Sequence, residues 1–259
     1  MKFFGNGNRR NFFRQSFALG GTSLIDSQLF YKEKEHLVMD EENDEGFIFL
    51  FQGDSITDGN RTRDKDWNHI MGHGYAYIIA SKLWYELPKK RFQFYNRGVS
   101  GNKVTDLSQR WDTDAIALKP NLLSILVGIN DLETWINGDA SYTAEKFEET
   151  YRELLTKTKT ELPTVQLVLC EPFILPVGRV KNKWDIYNNE IKKRQAVVKQ
   201  LSAEFNAIHI PCQQLFNEAL KRAPADYWIW DGIHPMPAGH ELIAIEWMKQ
   251  VSKKINLKS

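Results

Sequence analysis

Residues 47–57 read Phe-Ile-Phe-Leu-Phe-Gln-Gly-Asp-Ser-Ile-Thr, an apolar run that ends in a short polar segment with a glycine. An unbroken apolar run of this length predicts a strand covered on both faces, since a half-exposed strand would alternate apolar and polar residues. Four more short apolar runs follow along the chain, at residues 91–95, 122–127, 165–169 and 207–210. We therefore predict a sheet of five strands that is buried between other elements.

Segments with apolar residues at helical spacing separate most of these runs. They cover residues 75–87, 142–162, 185–205 and 238–255, and the first two stop just before a proline. Strands and helices that alternate in this way predict an α/β fold with a parallel sheet and right-handed crossovers. In such sheets the functional residues gather in the loops that follow the carboxyl ends of the strands.

The composition is that of an ordinary globular chain, and it excludes several classes of protein. The 259 residues carry 34 Lys and Arg against 33 Asp and Glu, a net charge of +1, which is not the basic footprint of a nucleic-acid binder. No membrane-spanning helix is predicted, because the mean hydropathy is −0.46 and no apolar run reaches about 18 residues. Two cysteines are too few for a disulfide scaffold. We predict Cys170 and Cys212 as buried free thiols, with a disulfide between them as the alternative.

The first 46 residues differ in character from the rest. Arg9, Arg10 and Arg14 precede a mildly apolar stretch of about ten residues, and the arginine pair resembles a twin-arginine export motif. Residues 31–46 are polar and charged, which is typical of a linker. We predict an exported protein, periplasmic or secreted, with a basic tail on a cytoplasmic protein as the alternative, and one folded domain at residues 47–259.

Polar and glycine residues occupy the loops after the predicted strands. The first three strands lead into Gly53-Asp54-Ser55-Ile56-Thr57, Asn96-Arg97-Gly98-Val99-Ser100-Gly101 and Gly128-Ile129-Asn130-Asp131, and Asp231-Gly232-Ile233-His234-Pro235 lies near the end of the chain. A serine, a glycine turn, a side-chain amide and an Asp/His pair would thus meet at one edge of the sheet. These are the groups that acyl transfer requires.

Acyl-transfer chemistry suggests a role for each group. A serine hydroxyl becomes a strong nucleophile when an imidazole takes its proton, and a carboxylate fixes the tautomer of that imidazole. Ser55, His234 and Asp231 can fill these roles in that order. The oxyanion of the tetrahedral intermediate needs hydrogen-bond donors. The backbone N–H groups of Ser55 and Gly101 and the side-chain amide of Asn130 can supply three.

The four segments resemble, in order, the four sequence blocks of the GDSL/SGNH hydrolases, with Ile56 where that family has leucine. The resemblance covers residues 47–255. It implies a flavodoxin-like three-layer α/β/α sandwich with a five-stranded parallel sheet, and a serine esterase that needs no metal or other cofactor. It also implies the same triad and oxyanion residues, with Gly98 as the competing choice for the backbone donor at Gly101.

Several neighbouring polar residues have other interpretations. Asp54 either contacts substrate or holds its loop in place, and Asp131 is predicted to cap and orient rather than to react. His69 and His73 have the spacing of zinc ligands on a helix, but Gly72 interrupts them and no glutamate follows His69. We therefore predict no metal site.

Tryptophans in or near the predicted loops indicate the substrate class, because flat indoles suit sugar faces, although core packing is their alternative role. They are Trp67, Trp111, Trp135, Trp184, Trp228 and Trp230. Trp135 follows Asn130 by five positions on what is predicted to be the same loop, and it is the preferred substrate contact. We predict removal of O-acetyl groups from carbohydrate, with a lipid or thioester acylhydrolase as the alternative. A non-catalytic sugar-binding module would have lost the triad residues, which are all present.

Overall fold

The structure is a computed structural model in which residues 46–64, 66 and 68–256 are described. The predicted export segment lies outside the described residues. So do residues 31–45 of the predicted linker, and Trp67. Among the described helices, none combines the length and the apolar character that crossing a bilayer requires.

Five parallel strands form one sheet. They are β1 (Ile48–Gly53), β2 (Gln93–Asn96), β3 (Leu122–Leu126), β4 (Gln166–Cys170) and β5 (Ile208–Ile210), in the spatial order β2-β1-β3-β4-β5. The five predicted strands are confirmed, with their ends displaced by at most two residues. The order places β1 and β3 side by side in the interior of the sheet, with β2 at one edge.

The helices surround this sheet. They are α1 (Ser55–Asp58), α2 (Tyr75–Glu86), α3 (Val104–Gln109), α4 (Trp111–Asp114), α5 (Ile129–Ile136), α6 (Ala144–Glu161), α7 (Gly178–Lys181), α8 (Trp184–Glu204), α9 (Cys212–Ala219), α10 (Ala225–Trp228) and α11 (Pro237–Val251), with 3₁₀ turns at Pro88–Lys90, Ile116–Leu118 and Ala140–Tyr142. The four helices predicted from periodicity correspond to α2, α6, α8 and α11. Most of the short helices were not predicted, because a helix of one or two turns shows too little periodicity to be recognised.

Side chains of the interior strands alternate between two cores. Phe49 and Phe51 of β1 pack in the core that includes residues of α2 and α11, whereas Leu50 packs on the other face with residues of α3 and α6. All three side chains are fully buried, and each contributes roughly 1.5–3 kcal/mol of transfer free energy to folding. The predicted three-layer α/β/α sandwich is thereby confirmed.

Helix α6 shows how the sequence specifies one of the outer layers. Thr143 caps the helix, because its side chain accepts a hydrogen bond from the N–H of Lys146 at 3.2 Å. Phe147, Tyr151 and Leu154 recur on one face and are buried against the sheet.

The two cysteines lie in the interior. Both Cys170, at the end of β4, and Cys212, at the start of α9, are buried and unbridged. Burial raises the pKa of the Cys212 thiol well above its usual value, and its contact with Cys170 raises it further. The Cys212 thiol is therefore protonated, and both cysteines pack as small apolar side chains.

Candidate active site

Ser55 lies at the point where β1 ends and α1 begins. The preceding residue, Asp54, is the N-cap of α1, and its Oδ1 accepts a hydrogen bond from the N–H of Ile56 at 3.0 Å. The Ser55 backbone N–H is the first of the helix and so has no acceptor within the helix. Both the hydroxyl and the N–H of Ser55 are thereby held at the carboxyl edge of the sheet.

Ser55, His234 and Asp231 form a continuous chain of hydrogen bonds. The Oγ of Ser55 lies 2.8 Å from Nε2 of His234, and Nδ1 of His234 lies 2.7 Å from Oδ2 of Asp231. A carboxylate only accepts hydrogen bonds, so Nδ1 carries the imidazole proton and Nε2 is the acceptor that faces the serine hydroxyl. The structure thus brings together the three residues that the sequence predicts as a triad.

The Asp231 carboxylate is stabilised in its charged form. Burial by itself would raise the pKa of Asp231, but hydrogen bonds from the His234 ring and from the backbone N–H groups of His234 and Ile233 outweigh it and lower the pKa to about 2. The two backbone bonds also fix the tight loop that carries both triad residues. Asp231 is therefore ionised throughout the neutral range.

Asp54 faces the protein interior. Its side chain is 1% exposed, and Oδ2 has no hydrogen-bond partner among the described residues. Burial raises its pKa to about 7. The carboxyl caps α1, which is the loop-holding role; a direct contact between Asp54 and substrate stays a prediction.

The backbone N–H groups of Gly98 and Gly101 have different surroundings. The Gly98 N–H donates to Oδ1 of Asn96 at 2.9 Å, so it is already engaged. Gly101 adopts a φ of +82°, which favours glycine, and a Cβ built there would meet no heavy atom within 4 Å. The Gly98 N–H is therefore already used within the loop, and Gly101 stays the predicted backbone donor.

Asn130 belongs to α5 and reaches back to the Gly101 loop. Its Nδ2 donates to the backbone oxygen of Asn102 at 3.1 Å. A side-chain amide has two N–H donors, and this bond uses one of them. The next residue, Asp131, is buried and accepts from the N–H of Val104, which ties α5 to the start of α3. This is the capping role predicted for Asp131.

Asp58 also fixes the glycine loop, and sequence reasoning missed it. Its Oδ2 accepts hydrogen bonds from both the backbone N–H and the hydroxyl of Ser100, at 2.9 and 3.0 Å. Arg63 forms an ion pair with the same carboxylate at 2.6 Å. Burial would raise the pKa of Asp58, but these contacts lower it below its usual value. No local pattern indicates this role, because Ser100 is 42 residues away in sequence.

The structure corrects the predicted positions of several tryptophans. Trp111 and Trp228 are buried core residues, at 1% and 3% exposed, so they are not part of a sugar platform. Trp135 lies on α5 and not on a loop. Five positions along a helix correspond to a rotation of about 140°, so Trp135 and Asn130 lie on different sides of α5.

Among the described tryptophans, Trp230 lies beside the triad. Its side chain is 62% exposed, and its ring is stacked on that of His234, with centroids 6.4 Å apart and an interplanar angle of 24°. Trp184, the first residue of α8, is partly buried against the core.

The two histidines with zinc-like spacing do not form a cluster of ligands. His69 pairs with Asp66, and His73 is exposed in the loop before α2. Across the described ranges there is no group of three or more His, Cys, Asp or Glu side chains that could hold a metal ion.

The chain is similar to known esterases over most of its length. The model of the GDSL-like lipase/acylhydrolase family matches residues 51–242. An acetylxylan esterase from Geobacillus stearothermophilus is 35% identical over 215 residues, which cover 80% of this chain and 94% of that protein.

Solved structures give the same result. A GDSL-like protein from Parabacteroides merdae is 39% identical, with a TM-score of 0.77 and coverage of 81% of this chain and 97% of that one. The structure of an acetylxylan esterase from Geobacillus stearothermophilus is 32% identical, with a TM-score of 0.69 and coverage of 80% and 94%. The chain is therefore a carboxylic ester hydrolase and belongs to the GDSL-like lipase/acylhydrolase family.

Proposed function

We propose that this enzyme removes O-acetyl groups from carbohydrate through an acetyl-enzyme formed on Ser55. The observation that carries the proposal is the hydrogen-bonded chain from Ser55 through His234 to Asp231, with spacings of 2.8 and 2.7 Å. Two findings support acetylated carbohydrate as the substrate: the 35% identity to an acetylxylan esterase and the exposed indole of Trp230 beside His234.

In the first half of the reaction, Ser55 Oγ attacks the carbonyl carbon of the acetyl ester while His234 Nε2 takes the hydroxyl proton. Asp231 stabilises the imidazolium that forms. The tetrahedral intermediate collapses when His234 returns the proton to the sugar oxygen, which leaves as an alcohol. The acetyl group is then bound to Ser55.

In the second half, water attacks the acetyl-enzyme and His234 removes its proton. Collapse of the second tetrahedral intermediate returns a proton to Ser55 Oγ and releases acetate. In both halves the negative oxygen lies near the N–H groups of Ser55 and Gly101 and the amide of Asn130. These donors stabilise the transition state more than the substrate, because the negative charge that they bind develops only as the reaction proceeds. Their positions are already fixed before the reaction, so no reorganisation is needed.

Replacing Asn130 by alanine is expected to lower kcat by about a hundredfold or more and to leave KM little changed, because its hydrogen bond strengthens only as the oxyanion forms. Steady-state kinetics on a small aryl acetate measure both constants. Asn137→Ala, at an exposed position just after the same helix, is the matched control. A rise in KM with unchanged kcat would instead make Asn130 a ground-state binding residue.

Replacing Trp230 by alanine is expected to lower kcat/KM for an acetylated oligosaccharide by about 10- to 100-fold, the range for loss of an aromatic anchor, and to change turnover of a small aryl acetate little. Trp135→Ala, measured in parallel, tests the residue that the sequence predicts as the substrate contact. Equal losses on both substrates would indicate that Trp230 supports His234 rather than binds sugar.

Substrate preference tests the proposed function as a whole. Acetylated xylooligosaccharides and aryl esters of acetic and octanoic acid are compared by kcat/KM. The proposal requires the acetylated oligosaccharide to be the best substrate, since contacts with the glycan help to orient the ester. A preference for the octanoyl ester would overturn it in favour of a lipid acylhydrolase.

A further inference from the structure

The Asp231 carboxylate has an ionic partner outside the triad. Nη2 of Arg179 lies 3.5 Å from Oδ2 of Asp231, the same oxygen that faces the His234 ring, and 3.4 Å from Oε2 of Glu133. The guanidinium is half-exposed, whereas both carboxylates are largely shielded. One arginine thus links the triad loop to α5, the helix that carries Asn130.

The backbone holds Arg179 in this position. The preceding residue, Gly178, has a φ of +53°, and a Cβ at that position would lie 2.4 Å from Cα of Asp231. The N–H of Arg179 donates to the backbone oxygen of Asp231 at 3.1 Å. Helix α7 is therefore in direct contact with the triad loop, which places the base of the Arg179 side chain beside that loop.

Glu133 is fixed from its other side. The hydroxyl of Tyr187, on α8, donates to Oε1 of Glu133 at 2.9 Å. Burial raises the pKa of Tyr187 to about 12, and its bond to Glu133 adds to the effect, so the hydroxyl keeps its proton at working pH. Oε2 of Glu133 is left facing Arg179.

We propose that Arg179 and Glu133 are a pair of positioning residues that set the pH at which His234 can accept the proton of Ser55. The two residues shift this pH in opposite directions. The positive charge of Arg179 opposes the uptake of a proton by His234, and the negative charge of Glu133 partly offsets it. This inference rests on the proposed function, in which the neutral form of His234 is the base.

Other titratable groups also lie near His234, and they are common to every variant of the pair. Asp54, before α1, and His240, on α11, both interact electrostatically with His234, and His73 interacts with His240. Burial lowers the pKa of His240 to about 4, and the two neighbouring histidines add to this effect, so His240 carries no charge in the neutral range. Because Asp54 is unchanged in all variants, differences between pH profiles report on the pair.

The test is the pH dependence of kcat/KM for a small aryl acetate. Arg179→Gln is expected to move the midpoint of the acid limb to higher pH by about 0.5 to 1 pH unit, and Glu133→Gln to move it to lower pH, because the two substitutions remove charges of opposite sign. The amide oxygen of the new glutamine at position 133 can still accept from Tyr187. Both shifts should shrink in high salt, since Arg179 is half-exposed.

Two further variants serve as controls. Arg179→Lys keeps the charge and is expected to keep the wild-type midpoint. Arg152→Gln removes a cation that pairs with Glu148 on α6, away from the triad, and is expected to shift nothing. If Arg179 and Glu133 had only a structural role, replacing either one would lower kcat/KM by the same factor at every pH and leave the midpoint of the acid limb unchanged.

Midpoints that coincide with wild type in both variants, or that move in the same direction, would overturn the inference. Failure of the proposed function has a different signature. If Ser55→Ala retained turnover, the assignment of His234 as the base that takes the Ser55 proton would be wrong. If Ser55→Ala were inactive while the midpoints stayed fixed, only the role of Arg179 and Glu133 would be refuted.

Discussion

Ser55→Ala is expected to lower kcat by about 10⁴-fold or more on any ester substrate, because members of a triad act as a unit and the methyl group cannot form the acyl bond. The fold should survive, since the substitution removes one oxygen and leaves the Asp54 cap of α1 in place. Steady-state kinetics and the thermal unfolding midpoint measure the two effects separately.

Ser108→Ala is the matched control for this variant. Ser108 is exposed on α3 and has no role in the site, so its loss should leave kcat unchanged. If the Ser55 variant turned over at a rate within tenfold of wild type, with the same unfolding midpoint, Ser55 would not be the nucleophile.

Asp231→Asn is expected to lower kcat by about 10⁴-fold while the backbone changes little. The new side chain can place its oxygen on the N–H groups of Ile233 and His234, which preserves the loop. Its NH₂ group then faces Nδ1 of His234 and makes that nitrogen an acceptor. Nε2 would carry the ring proton and could not take one from Ser55.

The exposed residue Asp226, on α10, provides the control Asp226→Asn, which should behave as wild type. Kinetics at neutral pH on a small aryl acetate are sufficient, because the expected effect is on chemistry and not on glycan binding. A loss below tenfold in Asp231→Asn would mean that the carboxylate does not set the tautomer of His234.

The fold could be predicted from sequence because its signals are local. The run at residues 47–51 is apolar at every position and the four similar runs are mostly apolar, which is typical of strands in a doubly covered sheet. Parallel strands then bring their carboxyl ends to one edge, which is why loops separated by as many as 179 residues could be assigned to one site.

The remaining features depend on contacts that a single sequence does not reveal. The choice between Gly98 and Gly101 depends on the Asn96 side chain, which already occupies the Gly98 N–H. The sequence predicts a loop at Trp135 because α5 has only eight residues, about two turns, which is too short for helical periodicity to be recognised. Arg179 and Asp231 are 52 positions apart, and no motif connects them.

The central claim is that Ser55 carries the acyl group, and covalent labelling tests it most directly. An aryl phosphonate ester transfers its phosphonyl group to an activated serine and releases the aryl alcohol, which yields a stable analogue of the tetrahedral intermediate. Peptide mass mapping then locates the added group. We expect one equivalent on Ser55 in the wild-type enzyme and none in Ser55→Ala; a label on another residue, or equal labelling of the two proteins, would contradict the account.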